Sequence, residues 1–397
     1  MNMPHVKLVH FCSGFLGLGG VESVLKQHWE KDAAWDIDSH FLVYFEAAAT
    51  AQERVHFLGL DSRSTIRGSR HQIAQIIAKI QPEVSVFHGM WGVPYLADLD
   101  QARRRILFLH GDVPRLEELV QSRGPWMDGV LCVSEPLRAS VRRFLPGMDP
   151  ARISFIPYPI RPPPEDAAAP RPAWGKAPLV LGFCARLLKE QKRVDRLPGL
   201  LRHLDAAKLE YRLEFLGDGP ERHWLEQQFR EDSRIKFHGR QSGRDYWRIL
   251  SAWDAILFVS DYEGTPIALL EALSQGVIPI YPRIKSGGDA YTTFVSKELL
   301  YEPGDFPHVA AAISHLSRQS STEMDALRNR CRESAAAHLG ENYHQTFSNF
   351  LRKTLSAERV ASNTFPARPF PIDLCSFASL EKLGAVRRAT LKLMRQF

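Results

Sequence analysis

Residues 255–279 read Ala255-Ile-Leu-Phe-Val-Ser-Asp-Tyr-Glu-Gly-Thr-Pro-Ile-Ala-Leu-Leu-Glu-Ala-Leu-Ser-Gln-Gly-Val-Ile-Pro279. The apolar run at 255–260 has the length of a buried strand. Glu263-Gly-Thr-Pro266 follows as a turn, and Pro266 carries the fixed φ of a first helical turn. The run after it predicts a short helix over Ile267–Ser274, stopped by Gly276. A strand, turn and helix in this order aim backbone N–H groups and the positive end of a helix dipole at one spot, which suits a phosphate. Glu263 stands at the turn, and Glu271 stands about two helical turns further on. Two carboxylates so placed can accept hydrogen bonds from hydroxyls in two parts of one ligand, such as a sugar and a ribose. Nucleotide-sugar chemistry is the first expectation.

Working outward, the same alternation of apolar run and helical stretch fills most of the chain. Strands are expected at 6–12, 39–45, 84–88, 105–110 and 129–133, with helices clearest at 21–31, 68–80 and 134–144. A Pro/Ala-rich segment, from Pro157 to Pro178, can continue neither sheet nor helix and reads as a linker. Beyond it strands are expected at 179–184, 211–216, 235–238, 255–259 and 277–281. Alternation of this kind predicts parallel, doubly wound sheets. The expected domains are residues 1–160, a linker at 161–178, a second unit at 179–350, and a tail at 351–397. In the tail, Leu380, Leu383, Val386, Leu393 and Phe397 recur at helical spacing among Lys382, Arg387, Arg388, Lys392 and Arg395. Such a basic amphipathic helix suits docking on the protein's own body or peripheral contact with an anionic membrane.

At 397 residues the chain exceeds the size at which one core stops growing, so two domains are expected. No run approaches the roughly 18 to 20 apolar residues of a membrane span. The N-terminus carries no signal-peptide pattern, and the five cysteines are scattered without Cys-x-x-Cys spacing. Reduced thiols in a cytoplasmic protein are expected, with neither disulfide nor zinc site. The net charge of +6 lies wholly beyond residue 160, since the first 160 residues hold 17 basic and 17 acidic side chains. That excess favours an anionic ligand or an anionic membrane surface, and no nucleic-acid partner is expected.

Two further loops carry chemistry. Arg186-Leu-Leu-Lys-Glu-Gln-Lys-Arg-Val-Asp195 follows an expected strand, and Arg186 and Lys192 can bracket a diphosphate and offset the charge of a leaving nucleotide. Gly217-Asp-Gly-Pro220 follows another strand as a tight turn. Together with Glu263-Gly-Thr-Pro-Ile-Ala-Leu-Leu-Glu-Ala272 these stretches, in this order, resemble the C-terminal half of the retaining glycosyltransferase family 4. The likeness is strong over residues 179–310. It implies an α/β protein of the GT-B fold, two Rossmann-like domains facing across a cleft.

The resemblance implies roles. Glu271 would bind the ribose of the donor nucleotide, Glu263 the donor sugar, and Arg186 and Lys192 the diphosphate. The backbone of Gly264, Thr265 and Pro266 would line the sugar and phosphate pocket, and Gly239 and Arg240 would border the base. In the N-terminal half Gly17-Leu-Gly-Gly-Val-Glu22 is similar to the family's Gly-Gly-x-Glu turn, where Gly19 and Gly20 let substrate approach the backbone. It lacks the last glycine of a dinucleotide-binding fingerprint. His110 matches a histidine near the donor sugar, and His88 resembles a cleft-facing histidine on the acceptor side. His110, Arg186, Lys192 and Glu263 form the expected catalytic set. The chain departs from the family pattern at Tyr158-Pro159, where Asn-Gly is usual, and at Ser286-Gly-Gly-Asp289, which is not followed by the usual glutamate.

The implied reaction is hexosyl transfer from a UDP-, GDP- or ADP-sugar to a saccharide or lipid-linked saccharide hydroxyl, with retained anomeric configuration. No cofactor is expected, and no Asp-x-Asp motif at a strand end calls for a metal. Bacterial surface polysaccharide or lipopolysaccharide is the expected product class. A nucleotide-sugar epimerase, a glycoside phosphorylase, or a non-catalytic sugar-binding protein on the same fold remain alternatives.

Overall fold

Apolar runs separated by amphipathic ones yield two parallel sheets in the computed structural model. It describes residues 5–359 apart from 18, 49, 90–101, 103, 114, 168–173 and 176–177, together with 374–376 and 379. The first sheet holds β1 (Val6–Cys12), β2 (Ile37–Val43), β3 (Val55–Phe57), β4 (Val84–His88), β5 (Arg104–Leu109), β6 (Gly129–Cys132) and β7 (Ile153–Phe155). Their spatial order is β3-β2-β1-β4-β5-β6-β7. The second sheet holds β8 (Leu179–Cys184), β9 (Tyr211–Leu216), β10 (Ile235–Gly239), β11 (Ala255–Leu257), β12 (Ile278–Pro282) and β13 (Leu300–Tyr301), in the order β10-β9-β8-β11-β12-β13. Both orders are Rossmann-like: the first strand is central and the winding reverses beside it. Strands such as β1 read as nearly continuous apolar runs because helices cover both faces.

β1, β4, β8 and β9 span the expected residues. β11 stops at Leu257, short of the expected 259, because its neighbourhood changes there. Phe258 gives its carbonyl to the Tyr301 hydroxyl at 2.5 Å, while its N–H bonds to Ile280. β3, β7 and β13 are short edge strands of two or three residues that the sequence pattern did not mark. Edges kept this short limit pairing with other chains.

Each sheet has its own core, one around Leu8, Val86, Ile106 and Leu131 and the other around Leu181, Phe215, Trp253 and Ile278. Chain order and core membership part company in two places. The helix Ile267–Ser274 buries Leu269, Ala272 and Leu273 in the second core but Ile267 and Leu270 in the first. A helix apolar on all sides is explained by having protein on all sides. The helix Asn342–Ser356 spans the expected boundary at 350 and packs on the N-terminal domain through Tyr343, Phe347, Phe350 and Leu351. Arg104 Nε donates to the Thr354 carbonyl at 2.9 Å and ties the end of that helix to β5. Between the domains, Ile160 belongs to the first core and Ala167 to the second.

Phe347 is fully buried in this returning helix. Phe347→Ala is expected to lower stability by about 3–5 kcal/mol, read as a fall in melting temperature. Wild-type melting would mean that the helix does not hold the N-terminal core. All five cysteines are free. Among the described residues no helix is long and apolar enough to cross a membrane. The amphipathic stretch expected over 379–397 lies outside the described residues apart from 379.

Candidate active site

In doubly wound sheets ligands bind beyond the carboxyl ends of the strands where the winding reverses. In the C-terminal domain this point lies between β8 and β11, and the loop 186–193 and the turn 260–266 follow those strands. In the N-terminal domain it lies between β1 and β4, which lead into the Gly19-Gly20 loop and His88.

The two C-terminal loops are stitched together. Asp261 N donates to the Gln191 carbonyl at 3.0 Å, and Gln191 Nε2 to the Tyr262 carbonyl at 3.3 Å. Arg193 and Arg196 both reach the Asp261 carboxylate, at 2.7 and 2.6 Å. Within this frame Lys192 Nζ lies 2.6 Å from Glu263 Oε1, and Ser260 Oγ donates to the same oxygen at 2.7 Å. Glu263 is 6% exposed, so the ion pair is largely shielded from solvent. Arg186, by contrast, is exposed and makes no hydrogen bond or ion pair among the described residues. The expected pair of cations is therefore unequal here: one is committed to a carboxylate, the other free to meet an incoming charge.

The turn after Glu263 is where the domains meet. A Cβ on Gly264 would stand 2.1 Å from the His110 carbonyl oxygen, so only glycine fits. Thr265 Oγ1 donates to the Val133 carbonyl across the interface at 2.8 Å. Pro266 is the N-cap of Ile267–Ser274, just outside the first turn, in extended backbone. A Cβ on Gly20 would lie 3.4 Å from Ile267 Cδ1, so the opening of the first helix also abuts this point. Gly19, the N-cap of that helix, carries no side-chain cap. The structure thus gathers Gly19, Gly20, His110, Gly264, Thr265 and Pro266 around one helix N-terminus.

Glu271 shares no hydrogen bond with the Lys192–Glu263 pair among the described residues. Its Oε2 accepts from the Tyr246 hydroxyl at 2.5 Å, and that hydroxyl lies 3.7 Å from Cys184 Sγ at the end of β8. Burial pushes the Glu271 carboxyl up to about 7, against the Tyr246 hydrogen bond and the Arg161 charge, which pull it down. Gly239, at φ 68°, ends β10 and gives its carbonyl to Gly217 N at 2.8 Å, which places Gly239 and exposed Arg240 beside the Gly-Asp-Gly-Pro turn. Gly217, at φ 132°, packs so tightly that a Cβ would lie 2.0 Å from the Ala185 carbonyl oxygen.

A carboxyl that binds its proton more tightly folded than unfolded makes the folded state lose stability as pH rises from 4.5 to about 7. Glu271→Gln removes that loss. Its melting temperature should match wild type near the bottom of this window and exceed it increasingly up to neutrality, by roughly 3 kcal/mol of stability. A difference between the two proteins that does not vary with pH would refute the assignment.

His110 and His88 are half-buried and touch one another, His110 Nε2 to His88 Nδ1 at 2.8 Å. His110 Nδ1 also meets the Tyr158 hydroxyl. Burial, with the neighbouring His28 and His10 charges, lowers His110 to about 3, and burial also holds His88 well below its usual value. Both rings are neutral at neutral pH. Sequence reasoning missed Tyr158, Tyr246, Ser260 and Asp261. Tyr158 was legible only as a departure from a family pattern, and Asp261 as the acid preceding Tyr262-Glu263.

Among the described residues only His10, His28 and Asp32 bring ligand atoms within 4.8 Å of one another in the manner of a metal site. Asp32 already accepts from His28, His344 and Ser39, so this is a hydrogen-bonded ionic cluster in the N-terminal domain rather than an open ligand set.

Two Rossmann-like domains facing across a cleft define the GT-B fold. Residues 178–319 match the family model described as glycosyl transferases group 1. Lipopolysaccharide 1,6-galactosyltransferase of Escherichia coli (strain K12) is 29% identical over 199 residues, 48% of this chain and 52% of that protein, so the chain spans about half the length of this curated relative. The apo form of the lipopolysaccharide outer core galactosyltransferase WaaB superposes with a TM-score of 0.62 at 20% identity, over 87% of this chain and 99% of that one. HepE of Anabaena, solved in complex with UDP, superposes with a TM-score of 0.64 at 16% identity, over 88% and 99%. At these identities the solved structures establish the fold.

Proposed function

We propose that this protein is a metal-independent, retaining glycosyltransferase that moves a sugar from a nucleotide-diphosphate donor to an acceptor hydroxyl in the assembly of lipopolysaccharide or a related surface polysaccharide. The observation that carries the reading is the shielded Lys192–Glu263 pair beside a helix N-terminus on which both domains converge. Backbone N–H groups before Ile267 and the helix dipole attract phosphate. Arg186 and Lys192 offset the charge that grows on the leaving diphosphate. Glu263 takes the donor sugar's hydroxyls, and Glu271 those of the ribose, in its ionised form. The leaving phosphate oxygen accepts the proton of the attacking hydroxyl on the same face of the sugar, through an oxocarbenium-like state. The domain contact at Gly264 keeps water, which would hydrolyse the donor, away from the reacting carbon. A UDP-sugar is the first donor to try, because HepE was solved with UDP and the Escherichia coli relative is by name a galactosyltransferase.

The test is a panel of UDP-, GDP- and ADP-sugars. A true donor raises the melting temperature by mass action. With a saccharide or lipid-linked acceptor, NMR of the product should report the donor's own anomeric configuration. Conversion of donor without acceptor would indicate an epimerase, and binding without turnover a sugar-binding protein. No shift with any nucleotide sugar would end the proposal.

A further inference from the structure

A line of hydrogen-bonded rings runs from the cleft into the N-terminal domain. The Tyr158 hydroxyl meets His110 Nδ1, and His110 Nε2 lies 2.8 Å from His88 Nδ1. His88 Nε2 lies 2.8 Å from His10 Nδ1. His10 Nε2 then faces Asp32 Oδ2 at 3.9 Å and has no hydrogen-bond partner among the described residues. Asp32 is fully buried and accepts Ser39 Oγ at 2.5 Å, His28 Nδ1 at 3.0 Å and His344 Nδ1 at 3.3 Å. Burial opposes its ionisation, but the His28 charge, the hydrogen bonds from His28 and His344, and the facing His10 ring outweigh it and hold the carboxyl well below its usual value.

A neutral imidazole has one N–H and one lone pair. In a line of three, the protons must all point one way or all the other. With every ring protonated on Nε2, His10 points its N–H at an anionic carboxylate, and Tyr158 donates into His110 Nδ1 at the far end. With every ring protonated on Nδ1, His10 aims a lone pair at that carboxylate. The Tyr158 hydroxyl, in a side chain 3% exposed, would then keep a proton with no acceptor among the described residues. Charge repulsion at one end and an unsatisfied buried donor at the other both disfavour the second arrangement.

We propose that Asp32 is a positioning residue that acts through His10 and His88 to fix His110 at the cleft as its Nε2–H tautomer. His110 then has neither a free N–H nor a free lone pair for substrate. It serves the donor through its ring and backbone placement, and the reacting proton passes to the leaving phosphate. The tautomer assignment stands apart from the transferase reading; only its effect on turnover rests on that reading.

Nitrogen-15 NMR of the full chain labelled at histidine distinguishes the tautomers. The wild type should show Nε2–H at His10, His88 and His110. Asp32→Asn presents an amide N–H in place of an acceptor and should reverse all three to Nδ1–H; the stranded Tyr158 proton then loosens the hold on the His110 ring, with turnover falling about tenfold or more. An Nδ1–H His110 in the wild type overturns the proposal, as do unchanged tautomers in a folded Asp32→Asn protein. Reversed tautomers with unchanged turnover overturn the positioning role. If Asp32→Asn does not fold, Tyr158→Phe decides. Retention of Nε2–H in its three rings supports control by Asp32, and reversal transfers that control to Tyr158. One zinc per chain bound at His10 Nε2 would also overturn the proposal. Reversed tautomers with no sugar transfer by either protein support the tautomer assignment and count against the transferase reading alone.

Discussion

Lys192→Ala is expected to abolish nearly all sugar transfer, by about 10²–10³ in turnover at saturating donor, because it removes a preorganised charge where the leaving diphosphate develops its own. The same change leaves Glu263, 6% exposed, without its cation. Breaking a buried ion pair from one side costs about 3–5 kcal/mol, more than the pair contributes when intact. Two effects therefore overlap in the single variant, and a second variant separates them. Lys192→Ala with Glu263→Gln replaces a stranded charge by a neutral amide that can still accept from Ser260. Melting temperature should recover towards wild type while turnover stays low. Initial rates and thermal melts on the three proteins read the two terms separately. Near-wild-type turnover in Lys192→Ala would remove the lysine from the mechanism. Recovery of turnover in the double variant would mean that the single one had only been unstable.

Gly264→Ala should cut kcat/KM by about a hundredfold, since misplacement of reacting groups by an ångström suffices for that. The new methyl group would stand 2.1 Å from the His110 carbonyl oxygen, a backbone atom that no side-chain rotation can move aside. The two domains must separate locally, and the Thr265 bond to Val133 stretches with them. Melting of each separate core should change less than activity does, because neither core contains the glycine. Gly147→Ala is the control, as a Cβ there meets nothing within 4 Å. Wild-type kcat/KM in Gly264→Ala would show that the domain contact at this turn does not matter to the reaction.

Much of this molecule was readable from residue order. The periods of apolar residues placed β1, β4, β8 and β9 to the residue and set Ile267–Ser274 between Pro266 and the turn at Gly276, because strand period, proline geometry and glycine stops are local properties. The Rossmann order of both sheets also follows, since a chain of alternating strands and helices has few right-handed ways to wind. Candidate phosphate and hydroxyl ligands were likewise visible as motifs next to strand ends.

Other features depended on contacts between segments far apart in sequence. Phe258 left β11 because Tyr301, 43 residues away, claims its carbonyl. Asn342–Ser356 joined the N-terminal core because its apolar face matches a sheet hundreds of residues earlier, and helical period says which face is apolar but not what covers it. Local sequence likewise names Lys192 and Glu263 as charges yet cannot say that one neutralises the other while Arg186 stays free. The line from Tyr158 through His110, His88 and His10 to Asp32 is drawn from β1, β4, the end of β5, the linker entrance and the turn after the first helix. His10 draws no notice in its own strand, and His88 and His110 stand out in the sequence only through a family resemblance. Only the sheet order, which sets β1 beside β4 and β4 beside β5, brings the rings into one hydrogen-bonded row. Periodicity is written into neighbouring residues, whereas pairing across a sheet and between domains is decided when the whole chain closes on itself.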